Sequence, residues 1–278
     1  MILKKIVGLL LLFFRKINIF GFDAPLVVLF WNKLLECELS LQIPLIFELI
    51  LFSSVWLAYS ADRFLDNNNI FLKKKLQQRH LILKKKAFEF CIVWFILLIT
   101  TIALTGFYLK NIEIYCSLAL LVLVILNQGL SILENGKLKK TILKSFRTSI
   151  ILSLGCFIYP FLHLDYYDYS FAGFPVMLCV IFLGNCLAVK KLKFAHFDLT
   201  LTEPVIGKVE FILFILVLLG ICLLGLTLFT VANFVSISCI PIIVFKSNLC
   251  YDDRRVFLDQ IFWIIPLTFL FSSFVCKF

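Results

Sequence analysis

Leu41 to Tyr59, LQIPLIFELILFSSVWLAY, runs directly into Ser60-Ala61-Asp62-Arg63-Phe64-Leu65-Asp66. The first part is apolar and long enough to cross a hydrocarbon core of about 30 Å. The second sets two carboxylates and an arginine where that helix would leave the membrane. Asn67-Asn68-Asn69 follows, then Lys73-Lys74-Lys75, Arg79-His80 and Lys84-Lys85-Lys86. On a helix, Tyr59, Asp62, Arg63 and Asp66 stand at i, i+3, i+4 and i+7 and share one face. Two carboxylates one turn apart, with cations behind them, suit a divalent metal bridged to a phosphorylated ligand. On spacing alone, an ordinary helix exit with solvated charges remains the default.

The rest of the chain has the same character. It is 62% hydrophobic and 16% charged, with a mean hydropathy of +1.03, which excludes an ordinary soluble domain. The apolar runs are continuous rather than alternating, so helices are expected and a membrane barrel is not. The expected fold is an all-α polytopic membrane protein: a single bundle of about nine transmembrane helices at roughly 20 residues each. The spans expected are Ile17–Leu35, Leu41–Tyr59, Ala87–Leu109, Ile112–Leu130, Thr148–Leu164, Phe171–Val189, Val209–Leu228, Thr230–Phe245 and Val256–Val275. With no linker, low-complexity tract or repeat, residues 1–278 read as one domain. Residues 1–20 carry Lys4, Lys5, Arg15 and Lys16 around an apolar stretch. Arg15-Lys16 stands where a cleavage site would need small residues, so this segment reads as a retained amphipathic lead-in at the interface.

The net charge of +10 is a matter of topology. When alternate loops are assigned to alternate sides, all but Lys33, Lys110 and Lys277 of the 27 Lys and Arg residues fall on one side. The Glu36/Glu38 and Asp165/Asp168 loops fall on the other. By the positive-inside rule the amino terminus and the long loops are cytoplasmic, the carboxyl terminus is outside, and the cell (inner) membrane is the expected location. Nucleic acid is not an expected partner. The ten cysteines form no CxxC pair; Cys91, Cys116, Cys179 and Cys222 read as small core residues. His80, His163 and His196 lack the spacing of a helical metal pair, and no nucleotide-loop, zinc-protease or serine-hydrolase motif occurs.

Polar residues inside spans are costly and mark candidate sites. Glu48 lies eleven residues before Tyr59 and eighteen before Asp66, on nearly the same helical angle. It reads equally as a cavity-lining group beneath the aspartates or as a protonated glutamate satisfied by a neighbouring helix. Asn127, Gln128, Asn185 and Asp259 fall near cytoplasmic ends of their spans, where packing is the usual role of each alone. The 190–208 loop adds His196, Asp198 and Glu203 among Lys190, Lys191, Lys193 and Lys208. The 246–255 loop ends in Tyr251-Asp252-Asp253-Arg254-Arg255, whose charges neutralise one another or hold phosphate oxygens.

This pattern resembles the UbiA superfamily of intramembrane prenyltransferases, in a divergent bacterial branch. The family's first motif, N-D-x-x-D-x-x-x-D, covers Ala58 to Asp66. Asp62 and Asp66 match it, while Ala58 and Tyr59 replace the leading Asn and Asp. Asp23-Ala24-Pro25-Leu26, Arg79-His80 and Arg255-x-x-x-Asp259 fit the same branch. The second acidic motif survives as Asp198 and Glu203.

The resemblance implies catalytic roles for Asp62, Asp66 and Tyr59 and a Mg²⁺ held by Asp62, Asp66 and Asp198. It implies diphosphate contacts from Arg63, Arg79, Lys190 and Arg255, and a cavity lined by Glu48, Asn127, Asn185 and Asp259. The implied partners are membrane lipid, a prenyl diphosphate and a lipophilic acceptor such as a quinone precursor. A catalytically degenerate homologue that binds isoprenoid lipid or a partner ranks second. A transporter, with Glu48 and Asp62 relaying protons, ranks third.

Overall fold

The computed structural model describes residues 2–67, 85–133, 138–164, 171, 173–196, 227–245 and 251–275. Every extended element among them is a helix: α1 (Ile2–Phe20), α2 (Asp23–Glu38), α3 (Leu45–Asn67), α4 (Ala87–Tyr108), α5 (Asn111–Leu133), α6 (Leu138–Leu162), α7 (Gly173–His196), α8 (Leu228–Phe245) and α9 (Tyr251–Val275). Five contain stretches long and apolar enough to cross a membrane: Leu45–Phe64, Ala87–Tyr108, Asn111–Ser131, Leu143–Leu162 and Gly173–Lys190. The described residues are thus all-helical, and the length and composition of these helices are those of a multi-pass membrane protein. Most of the expected Val209–Leu228 span lies outside the described residues.

The expected first span, Ile17–Leu35, is not one helix. α1 ends at Phe20 and α2 begins at Asp23. Gly21 between them has φ 76°, the left-handed conformation that ends many helices. The amide of Phe22 donates to the carbonyl of Ile17 at 3.0 Å, and that of Gly21 to Asn18 at 3.2 Å. These two reversed bonds are the Schellman pattern. Apolar composition runs straight through the break, which is why the run reads as continuous.

α2 ends the same way with a less suitable residue. Leu41 donates to Glu36, Ser40 donates to Cys37, and Ser40 has φ 53°. A serine pays a Cβ clash in this conformation that glycine does not. Ser40→Gly is therefore expected to raise stability by about 1 kcal/mol, read as a higher unfolding midpoint in detergent.

The helices group into two compact units, one of Met1–Leu29 with Ile43–Leu133, the other of Phe30–Gln42 with Glu134–Phe278. The boundary falls inside α2. In the first unit α3 is the centre. The Trp94 indole of α4 donates to the carbonyl of Leu57 at 3.2 Å, and the Gln128 amide of α5 to that of Ala58 at 3.0 Å. Phe22 stacks on Phe52 and Trp56 of α3, and the Trp56 indole donates to Phe20 at 2.9 Å. Side-chain donors on helix carbonyls are an effective adhesive in a membrane, where apolar burial by itself does not draw helices together.

In the second unit Trp31 is fully buried. Its indole donates to the Phe262 carbonyl of α9 at 2.8 Å, and its ring meets Phe229 of α8 edge-on at 5.7 Å. The Asn32 amide reaches Cys156 of α6 at 2.7 Å. The start of α8 is capped reciprocally: Thr227 donates its amide to the Thr230 hydroxyl, and Thr230 donates its amide to that of Thr227. Glu38, at the end of α2, accepts from the Phe229 amide at 3.4 Å.

Burial pushes the Glu38 carboxyl above its ordinary value, and the Phe229 bond opposes this in part. A raised carboxyl binds its proton more tightly folded than unfolded. Its contribution to stability is therefore present below the ordinary carboxylate range and is lost as pH rises through the raised value. Glu38→Gln keeps an acceptor for Phe229 and cannot ionise. It should flatten the pH dependence of the melting temperature just above the ordinary carboxylate range, with the wild type losing ground there.

Candidate functional site

The sequence-based candidates fall into both units. Glu48, Tyr59, Asp62, Arg63, Asp66 and Asn127 belong to the first, and Asn185, Lys190, Arg255 and Asp259 to the second. Arg79 and Asp198 lie outside the described residues, so the expected Asp62–Asp66–Asp198 set is described only at Asp62 and along the backbone of Asp66. Among the described residues no three His, Cys, Asp or Glu side chains form a group able to hold a metal.

The membrane exit of α3 is the best-defined polar region. Arg63 and Asp23 are both buried, at 4% and 3% exposure. One guanidinium nitrogen, Nη2, lies 3.2 Å from Asp23 Oδ1 and 3.3 Å from Oδ2. The same nitrogen donates to the Tyr59 hydroxyl at 2.9 Å, and Nη1 donates to the Asn18 carbonyl at 2.6 Å. Tyr59 donates to Asp23 Oδ2 at 3.1 Å, and the Asn18 amide donates to the same oxygen at 3.2 Å. The guanidinium also lies over the Tyr59 ring, 4.3 Å from its centroid.

Local sequence explains how these groups meet. Tyr59 and Arg63 are i, i+4 on α3 and so stack on one face. The Gly21 break turns the chain between α1 and α2, so that the Asn18 carbonyl and the Asp23 carboxylate both reach the same guanidinium. A β-carbon at Gly21 would sit 3.4 Å from Arg63 Nη1 and 3.6 Å from the Tyr59 ring. Arg63 carries positive charge to the carboxyl end of α1, and Asp23 carries negative charge in the first turn of α2. Both placements are favoured by the helix dipoles.

Tyr59 and Arg63, expected to act on substrate, are thus tied into an internal network. Asp62, the residue between them in sequence, is half-buried on α3. Asp66 follows one turn later on the last turn of the helix. Gln128 bonds the Ala58 carbonyl of α3, and Asn127 precedes it on α5. Glu48 sits in the first turn of α3, fourteen residues before Asp62, or about 21 Å along the axis.

In the second unit Asp259 is buried, and Lys190 and Arg255 are half-buried. Asn185 Oδ1 is buried without a hydrogen-bond partner among the described residues. Asn18 and Gly21 are the participants that sequence reasoning missed. The signal was available in Gly21 followed by Asp23 and Pro25, a helix stop and a helix start in five residues.

Comparison with known protein families, with curated proteins and with solved structures returns no match.

Proposed function

We propose that this chain is an intramembrane prenyltransferase of the UbiA kind, working on a prenyl diphosphate at the cytoplasmic end of α3. The observation that carries the reading is the division of labour on that helix end. Arg63 is held by Asp23, while Asp62 and Asp66 stand one turn apart where a bilayer-length apolar helix finishes. The donor set fits Mg²⁺, which takes one or two protein carboxylates and completes its shell with phosphate oxygens and water. Asp62 and Asp66 would hold the ion. When bound, it would offset the charge of the departing diphosphate.

The chain's own residues supply the remainder. Apolar spans accommodate the isoprenoid tail and keep water from the allylic carbon. Heterolysis of the carbon–oxygen bond sends the electron pair to the diphosphate. The acceptor then forms a bond to the allylic carbon and loses a proton. Arg79, which follows Lys73-Lys74-Lys75 in the basic stretch after α3, is the arginine the sequence offers for the departing diphosphate.

A second reading is favoured by one observation, the engagement of Tyr59 and Arg63 in a closed network. On that reading the chain binds an isoprenoid lipid and the acidic pair is a relic. The deciding experiment incubates purified protein with prenyl diphosphates of several lengths, Mg²⁺ and host lipid extract, and measures diphosphate release. Metal-dependent release abolished by chelator supports the transferase. No release at any chain length sinks it and leaves the lipid binder.

A further inference from the structure

Charges fall near both ends of α1. Lys4 and Lys5 stand at its start and Arg15 and Lys16 toward its end, so only the nine residues Ile6–Phe14 between them are free of charge. Nine helical residues advance about 14 Å, half of a hydrocarbon core, too little to cross a bilayer. Eleven residues, or about three turns, separate Lys4 from Arg15 and Lys5 from Lys16, which sets the four positions along one side of the helix.

What α1 turns outward is largely apolar. Leu9, Leu12, Phe13 and Phe20 are each more than half exposed, with Lys16 exposed among them. Leu9, Phe13, Lys16 and Phe20 follow the i, i+4, i+7, i+11 spacing of a single helix face. The carboxyl end of α1 is fixed to α3. The Phe20 carbonyl accepts from the Trp56 indole at 2.9 Å, and the Asn18 carbonyl from Arg63 at 2.6 Å. Both donors lie toward the end of the bilayer-length stretch Leu45–Phe64. α1 is therefore held at the membrane surface that α3 leaves.

We propose that α1 is a docking helix for anionic phospholipid. Its Leu9, Phe13 and Phe20 strip seats at the acyl-chain boundary of that leaflet, and Lys16 lies among the headgroups. A helix with one apolar flank and one cationic flank gains from both the lipid interior and the surface charge. A second copy of this chain would bring like cations together, whereas an anionic leaflet brings the opposite charge. The sequence alone allows an interfacial position; the structure adds which side of α1 faces lipid and that the helix is tied to α3. The proposal stands whether or not the chain is a transferase.

The test uses the full chain with a photoreactive benzophenone amino acid in place of Phe13. The protein is reconstituted in vesicles of equal parts phosphatidylcholine and phosphatidylglycerol, irradiated, and its adducts are identified by mass spectrometry. Phosphatidylglycerol should be captured about fivefold over phosphatidylcholine, the preference that one lysine near an anionic surface confers. Lys16→Glu should bring the ratio close to that of the vesicle while lipid is still captured. The same label in place of Leu9 should give the same pattern. Capture of both lipids in bulk proportion, or a preference that Lys16→Glu does not move, overturns the recognition of anionic lipid. Capture of another copy of the chain instead of lipid at both positions overturns the docking role and makes this face a protein interface.

Discussion

Arg63→Ala is expected to destabilise the protein by about 3–5 kcal/mol, the cost of leaving one member of a buried ion pair behind. The stranded group is Asp23, 3% exposed, which would keep the Asn18 and Tyr59 donors but lose its counter-charge. Asp23→Ala should cost a similar amount for the opposite reason, a buried guanidinium without its carboxylate. The double variant should cost much less than the two singles together, since removing both charges leaves neither uncompensated. Tyr59→Phe gives the internal scale. It removes one hydroxyl that donates to Asp23 and accepts from Arg63, and should cost about 1–2 kcal/mol. Denaturant unfolding of the four variants in one detergent makes the comparison. A cost for Arg63→Ala below about 1 kcal/mol would mean that the pair is solvated like a surface bridge.

That network also marks how far the sequence could be read. Long apolar runs specify helices because an unpaired backbone is too costly in hydrocarbon, and α3, α4, α5, α6 and α7 follow from composition. The acidic end of α3 was legible for the same local reason, since i, i+3 and i+4 spacing fixes which side chains share a face. The Asp23–Arg63 pair spans forty residues and depends on the turn at Gly21, so no periodicity predicts it. Glu48 shows what helical spacing conveys: its angle matches Tyr59 and Asp66, and it lies about four turns before Asp62 on the same helix. Asn185, Lys190, Arg255 and Asp259 fall near the ends of their spans and belong to the second compact unit, a grouping set by packing that span boundaries do not encode.

Asp62→Ala is expected to lower metal-dependent diphosphate release by on the order of 10²–10³-fold, the usual loss when one preorganised electrostatic contact to a developing charge is removed. A methyl group cannot hold a cation, and no other carboxylate occupies that turn of α3. The melting temperature should move less than in Arg63→Ala, because Asp62 is half-buried whereas Arg63 is buried. Loss of release with the fold intact is therefore the expected signature, and loss of both would point to a structural role.

Tyr59→Asp is the revealing companion. Judged by motif alone, it returns a carboxylate one turn before Asp62 and should help. In the structure the Tyr59 hydroxyl donates to Asp23 at 3.1 Å, so an aspartate there brings a second negative charge beside a buried carboxylate. It also removes the ring beneath the Arg63 guanidinium. Like charges sharing a site repel, and a shorter side chain loses the packing as well. Tyr59→Asp should accordingly lower both the melting temperature and diphosphate release. Improved release from Tyr59→Asp would mean that position 59 faces the substrate during turnover, contrary to its contacts with Asp23 and Arg63.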